Sequence, residues 1–126
     1  MSDSVDRLHE AVIAARHADP STSRTARLLR SGRSKMAKKL AEEAVEVVID
    51  AMHGNRDAVV RESADLLYNL VVLWVSAGIA PKEVWKEMER RERLMGIAEK
   101  LPKEISDSDA RRKVVALESR RVRKRR

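Results

Sequence analysis

Five carboxylates occur at helical spacing on either side of Gly54, in a stretch that is otherwise rich in Ala, Val, Leu and Ile. They are Glu42, Glu43, Glu46, Glu62 and Asp65. Like charges three or four residues apart destabilise a helix by about 0.2–0.5 kcal/mol per pair. Either the acids form a solvated face that pairs with Lys38 and Lys39, or they converge on a bound cation.

The spacing of the acids about Gly54 favours the second alternative, in which the carboxylates converge on one point. Glu46 lies eight residues before this glycine and Glu62 eight residues after it, so an antiparallel helical hairpin would place the two at the same height. Residues three or four apart share one face of a helix, which brings the remaining acids to the same region. A donor set made only of oxygen is typical of Mg²⁺ or Mn²⁺ rather than Zn²⁺, and the chain contains no Cys.

The elements that carry these acids are helices, because no strand-like alternation occurs and apolar residues recur at helical spacing. We predict an all-α fold of four to five helices with a long antiparallel hairpin. The predicted helices cover residues 4–17, 23–30, 35–53, 56–77 and 81–94. Ser21 or Ser23 is the expected N-cap of the second helix, and Ser34 and Asn55 are those of the third and fourth. Gly78 ends the fourth helix, and Pro81 suits the start of the fifth.

The fourth predicted helix has almost no polar residues in its second half, where Tyr68 and Asn69 are the only two between Leu66 and Val75. A helix that is apolar all round is expected to be buried. The residues expected in the core are Leu66, Leu67, Leu70, Val71 and Trp74.

The charge of the chain is distributed unevenly. The net charge is +7, but residues 111–126 contain nine Lys or Arg and one Glu, so the remaining 110 residues are close to neutral. We therefore divide the chain into a domain of residues 1–102 and a basic extension of residues 103–126. No apolar run is long enough to cross a membrane and the N-terminus has no secretion signal, so a cytoplasmic location is expected.

The segment from Ser23 to Leu73 resembles the phosphoribosyl-ATP pyrophosphohydrolase family of histidine biosynthesis. It resembles more loosely the wider all-α nucleoside triphosphate pyrophosphohydrolases of the MazG type. The resemblance rests on the pattern "EExxE…ExxD" and on the stretches "TARLLRSG", "EEAVEVVI" and "ESADLLYNLVVL".

The resemblance implies Mg²⁺-dependent hydrolysis of phosphoribosyl-ATP to phosphoribosyl-AMP and pyrophosphate, with Mn²⁺ as a possible substitute. It also implies a dimer of interlocked helical subunits, which would bury some of the apolar residues of the fourth helix against a second subunit. The carboxylates implied as metal ligands are Glu42, Glu43, Glu46, Glu62 and Asp65. Glu43 or Glu46 is expected to act as the general base if it is not used as a ligand.

Basic side chains must face the substrate phosphates. The candidates are Arg24, Arg27, Arg30, Arg33, Lys35 and Lys39, to which we add Asn69 because it shares a stripe with Glu62 and Asp65. For any one of these cations, ordinary surface charge remains the alternative.

The sequence departs from the family pattern at Arg24, where Tyr is usual, at Ala41, where Gly is usual, and in the basic extension. Two other functions therefore stay open. One is a house-cleaning pyrophosphohydrolase acting on nucleoside triphosphates. The other is a scaffold or nucleic-acid-binding relative without catalysis, which the basic tail "RRVRKRR" would favour by binding a polyanion.

Overall fold

A computed structural model of the protein describes residues 3–98 and, for side chains, residues 4–96. Within this part of the chain the structure has five helices and no strand, which confirms the all-α prediction. The helices are α1 (Asp3–Ala15), α2 (Arg24–Arg30), α3 (Arg33–Met52), α4 (Arg56–Ala77) and α5 (Pro81–Ala98).

Most helix ends lie where the capping residues predicted them. The Ser23 side chain accepts a hydrogen bond from the backbone N–H of Ala26, and Asn55 does the same for Ala58. Gly78 ends α4 in the left-handed conformation, with φ of 74°. Each of these groups satisfies backbone atoms that a helix terminus leaves unpaired.

Three predicted boundaries were wrong. The cap of α3 is Gly32 and not Ser34, because Ser31 already ends α2 and only one residue separates this C-cap from Arg33. Helix α1 stops at Ala15, two residues early. Helix α5 continues to Ala98, since an isolated Gly96 inside a helix is tolerated at a modest energetic cost.

The centre of the fold is the hairpin of α3 and α4, which pack against each other more extensively than any other pair of helices. A guanidinium N–H of Arg33, at the start of α3, donates to the carbonyl oxygen of Ser76, near the end of α4, over 3.3 Å. The two helices are therefore antiparallel, as the sequence predicted. Helix α1 packs on α4, and α2 contacts α1, α3 and α4.

The core lies where α1, α3 and α4 meet. Its buried side chains are Val12, Met36, Val71, Val72 and Val75. Full burial of such a side chain contributes about 1.5–3 kcal/mol to the free energy of unfolding. Of the residues predicted in the core, Val71 is buried in the single chain, Leu66, Leu70 and Trp74 are half-buried, and Leu67 is 47% exposed. Burial of the last four against a second subunit stays a prediction.

The compact unit that contains the hairpin ends at Val84, and a second unit begins at Trp85 within α5. Arg90 and Arg91 donate hydrogen bonds to the Glu87 carboxylate in this second unit and lower its pKa to about 2.

No single described helix is long and apolar enough to cross a membrane, although α4 and α5 meet that criterion as a bent pair. The predicted extension of residues 103–126 lies outside the described residues, and the predicted domain boundary stays a prediction.

Candidate active site

One face of α3 carries both the basic and the acidic groups of the site. Lys35, Lys39, Glu43 and Glu46 follow one another at intervals of four, four and three residues, which places them within an arc of about 80°. The facing stripe of α4 carries Glu62, Asp65 and Asn69. The hairpin thus brings the acids from either side of Gly54 together.

Three of the five predicted ligands form a carboxylate cluster, which consists of Glu43, Glu62 and Asp65. One carboxylate oxygen from each lies within 4.8 Å of the other two. Glu46 adjoins this cluster, because it raises the pKa of both Glu62 and Glu43. Glu42 is exposed to solvent and lies outside the group, so its role as a ligand stays a prediction.

The electrostatics of the carboxylate cluster favour an added positive charge. The neighbouring carboxyls of Glu46 and Glu43, together with desolvation, raise the pKa of Glu62 to about 7. Burial also raises the pKa of Glu43, and the charges of Glu46 and Asp65 add to that effect. A carboxyl group with a raised pKa is one whose charged form is disfavoured by its surroundings.

The residues present fit a divalent cation. Glu43 Oε2 and Glu62 Oε2 are both buried without a hydrogen-bond partner. A buried acceptor without a donor costs about 1–3 kcal/mol, and more when it is charged. A cation held by oxygen ligands would satisfy both atoms, and three carboxylates suit Mg²⁺ or Mn²⁺.

A cleft of about 240 Å³ opens between α2, α3 and α4. This basic cleft is lined by Arg24, Arg27, Leu28, Ser31, Lys35, Lys39 and Tyr68. Four of the seven candidates for substrate binding therefore lie together, while Arg30 and Arg33 lie outside the lining of the cleft. The concentration of cations in one concave site is suited to phosphate groups.

The remaining candidate, Asn69, does not line the basic cleft. It is 4% exposed, and its Nδ2 donates to the backbone oxygen of Asp65 over 2.8 Å while Oδ1 is buried without a partner. The hydrogen bond from its amide nitrogen sets the orientation of the side chain one turn beyond Asp65. The predicted contact of Asn69 with substrate stays a prediction.

Sequence reasoning did not assign Tyr68 to the site. Its hydroxyl lies 2.6 Å from Thr25 Oγ1, a hydrogen bond that ties α4 to α2 beside the cleft. One signal was available in the sequence, because Tyr68 and Asn69 are the only polar residues in the apolar stretch between Leu66 and Val75. A buried tyrosine needs a partner for its hydroxyl, and a threonine supplies it here.

The carboxylate cluster and the basic cleft adjoin at Lys39. This residue lines the cleft, and its Nζ lies 4.0 Å from Glu43 Oε1. An all-α hairpin that places convergent carboxylates next to a row of cations defines the class of all-α pyrophosphohydrolases. The comparison with protein families then identifies the particular family. The phosphoribosyl-ATP pyrophosphohydrolase family matches residues 5–92, and the chain belongs to that family.

Similar proteins carry the corresponding name. A protein of Rhodopseudomonas palustris named phosphoribosyl-ATP pyrophosphatase 2 is 65% identical over 131 residues and covers 100% of both chains. A protein of Bradyrhizobium diazoefficiens with the same name is 65% identical over 133 residues, which covers 99% of both chains. The phosphoribosyl-ATP pyrophosphatase of Gluconobacter oxydans is 52% identical over 79% of this chain and 77% of its own length. The protein is therefore an enzyme, a hydrolase, as the sequence predicted.

Proposed function

We propose that this protein hydrolyses phosphoribosyl-ATP to phosphoribosyl-AMP and pyrophosphate in histidine biosynthesis, with Mg²⁺ held by the carboxylate cluster. The observation that supports this proposal best is the junction at Lys39, where the acids that suit a divalent cation meet the cations that suit a polyphosphate. The names of the similar proteins supply the substrate. Mn²⁺ is expected to replace Mg²⁺, since both accept oxygen ligands.

The metal would be held by Glu43, Glu62 and Asp65, whose oxygens lie within 4.8 Å of one another. A bound divalent cation stabilises charge on phosphate oxygens and lowers the pKa of a coordinated water. Arg24, Arg27 and Lys35 contribute the other positive charges from the cleft. These fixed cations orient the polyphosphate chain along the hairpin toward the carboxylate cluster.

Glu46 is the acid best placed to act as the general base. It is more exposed than Glu43 and stands beside the carboxylate cluster, so its oxygens are not all committed to a metal. In the reaction, water forms a bond to one phosphorus of the α–β anhydride, and the bridging P–O bond breaks with its electron pair leaving on oxygen. The carboxylate of Glu46 accepts the proton that the water loses.

The proposed assembly is a homodimer that covers an apolar face of the hairpin. On α3, Val45, Val48, Ile49 and Met52 are all exposed and fall within an arc of about 100°. On α4, Val60 and Leu67 are exposed as well. An apolar surface of this kind on a core hairpin is typical of an interface, and a second copy of the chain is the occupant that the family resemblance implies.

The experiment is pyrophosphate release from phosphoribosyl-ATP by the full-length protein, with Mg²⁺ and then with EDTA. Nucleoside triphosphates assayed in parallel test the house-cleaning alternative. Asp65→Asn removes a carboxylate of the cluster and should lower kcat/KM by more than about 100-fold. This loss is larger than the one usually caused by removing a side chain that only hydrogen-bonds to a metal ligand. Its helical content, measured by circular dichroism, should not change.

The matched control is Asp57→Asn, the same substitution on the exposed first turn of the same helix, where Asp57 lies 3.8 Å from Arg56. This variant should keep wild-type activity. Near-normal turnover by Asp65→Asn, or activity that survives EDTA, would contradict the proposed metal site. A preference for nucleoside triphosphates over phosphoribosyl-ATP would contradict the proposed substrate.

A further inference from the structure

Lys39 belongs to both halves of the site. Its side chain is 38% exposed, lines the basic cleft and lies 4.0 Å from Glu43, whose own side chain is only 12% exposed. Within the described part of the chain, this is the only ion pair that reaches the carboxylate cluster. Lys35 lines the same cleft one turn earlier and makes no ion pair with a described acid.

Both expected ligands act on this ion pair. A divalent cation at Glu43 Oε2 would repel the ammonium that faces Oε1 of the same carboxylate. A polyphosphate in the basic cleft would attract the same ammonium away from the acid, and the four-carbon stem of lysine allows that movement. Each ligand therefore weakens the contact between Lys39 and Glu43 when it binds.

We propose that Lys39 is a shared cation that couples the two halves of the site: it pairs with Glu43 in the unliganded enzyme and turns to the polyphosphate when a divalent cation occupies the carboxylates. This inference rests on the proposed function. Once one ligand has weakened the pair, the other binds at a lower cost, and the coupling is reciprocal by linkage. The site would then favour metal and polyphosphate together over either alone.

The test measures each ligand separately on the full-length protein, which avoids metal–phosphate complexes in solution. Mn²⁺ binding without phosphate is followed by electron paramagnetic resonance, and imidodiphosphate binding in EDTA is followed by calorimetry. Lys39→Met should bind Mn²⁺ about two- to fivefold more tightly, the effect expected from removing a half-exposed ion pair. The same variant should bind imidodiphosphate more weakly.

Opposite changes in the affinities of Lys39→Met for Mn²⁺ and imidodiphosphate distinguish this role from a structural one, because damage to the fold would weaken the binding of both ligands. Lys39→Arg keeps the charge and should restore both affinities toward wild type. Lys35→Met is the matched control: it should weaken imidodiphosphate binding and leave the Mn²⁺ affinity close to wild type.

Two results would overturn the inference. One is a Lys39→Met variant in which both affinities change in the same direction. The other is a Lys35→Met variant that gains as much Mn²⁺ affinity as Lys39→Met does. Either result leaves the proposed function intact, since the wild type would still bind both ligands. A wild type that binds neither Mn²⁺ nor imidodiphosphate would contradict the proposed function itself.

Discussion

Glu62 is the acid whose protonation should make stability depend on pH when no metal is bound. Its pKa is about 7 in the folded protein, against 4.5 for the free group, because Glu46 and Glu43 lie next to it. The folded state therefore binds a proton more tightly than the unfolded state does. The stability that this proton contributes is complete below pH 4.5 and is lost as the pH rises through 7.

We predict that the urea midpoint of the wild type in EDTA falls between pH 5 and pH 8. Glu62→Gln should flatten this fall, because a neutral amide has no proton to lose. Saturating Mg²⁺ should also flatten it in the wild type, since a cation replaces the proton among the carboxylates. If the urea midpoint falls equally steeply with pH in Glu62→Gln and in the wild type, both in EDTA, another group causes the pH dependence.

At the same scale, the sequence predicted which acids converge better than it predicted their separate roles. The equal spacing of Glu46 and Glu62 about Gly54 was enough to bring α3 and α4 acids together, because an antiparallel hairpin fixes their heights. It did not separate Glu43 from Glu42, which are adjacent in sequence but point about 100° apart. The rotation of α3 about its axis decides which of the two faces α4. This rotation depends on how the helices pack, which the spacing of residues along one helix does not show.

At the scale of the helices, Gly78 holds a conformation that a residue with a side chain adopts only at a cost. It ends α4 at φ of 74°, and its N–H reaches back to the carbonyl oxygens of Trp74 and Val75. A side chain in the left-handed region costs about 1–2 kcal/mol even though a Cβ at Gly78 would meet no atom within 4 Å. We predict that Gly78→Ala lowers the free energy of unfolding by about this amount.

The matched control is Gly96→Ala, which places the same methyl group in the body of α5, where a Cβ meets nothing within 4 Å and φ is ordinary. This variant should be neutral or stabilising by up to about 1 kcal/mol, since alanine is the better helix former. Urea unfolding followed by circular dichroism measures both. Equal effects of the two substitutions would show that the left-handed conformation of Gly78 is not the cause.

The helices themselves were largely predictable because short polar and glycine residues mark their ends. Ser23, Asn55 and Gly78 all cap as expected. The core was less predictable, because an apolar sequence does not show which neighbour covers it. α1 and α3 cover the face of α4 that carries Val71, Val72 and Val75, and they leave Leu67 exposed.

At the scale of the whole molecule, the exposed apolar face of α3 predicts association. Val48 lies near the middle of that face and is 59% exposed in the single chain. A lysine there would bury an unpaired charge in the proposed dimer, at a cost of about 3–5 kcal/mol. We predict that the wild type is a dimer at micromolar concentration and that Val48→Lys is a folded monomer, both measured by light scattering.

Ile13→Lys is the control for this prediction, because Ile13 is also an exposed large apolar residue but lies on α1, outside the hairpin. It should remain a dimer. A wild type that is monomeric at micromolar concentration would contradict the proposed assembly, and so would a Val48→Lys variant that dimerises as tightly as the wild type.

The basic extension raises a separate question, because the family match ends at residue 92 while the alignments with two similar proteins cover nearly the entire chain. Residues 111–126 carry nine basic residues and one Glu, whereas the rest of the chain is close to neutral. The basic cleft already supplies Arg24, Arg27, Lys35 and Lys39 for the substrate phosphates. Nothing in the proposed reaction therefore needs the charge of the extension.

We predict that removal of residues 107–126 leaves the helicity and the Mg²⁺-dependent activity of the remaining chain largely unchanged. Salt-sensitive retention on nucleic acid or another polyanion should disappear, because such binding depends on the number of phosphates neutralised. The competing possibility is that arginines of the extension hold the triphosphate, in place of contacts altered at Arg24. Steady-state kinetics of the truncated protein decide between the two. A large rise in KM with unchanged helicity would make the extension part of the substrate site, whereas an unchanged KM together with lost polyanion retention would assign it a separate, electrostatic role.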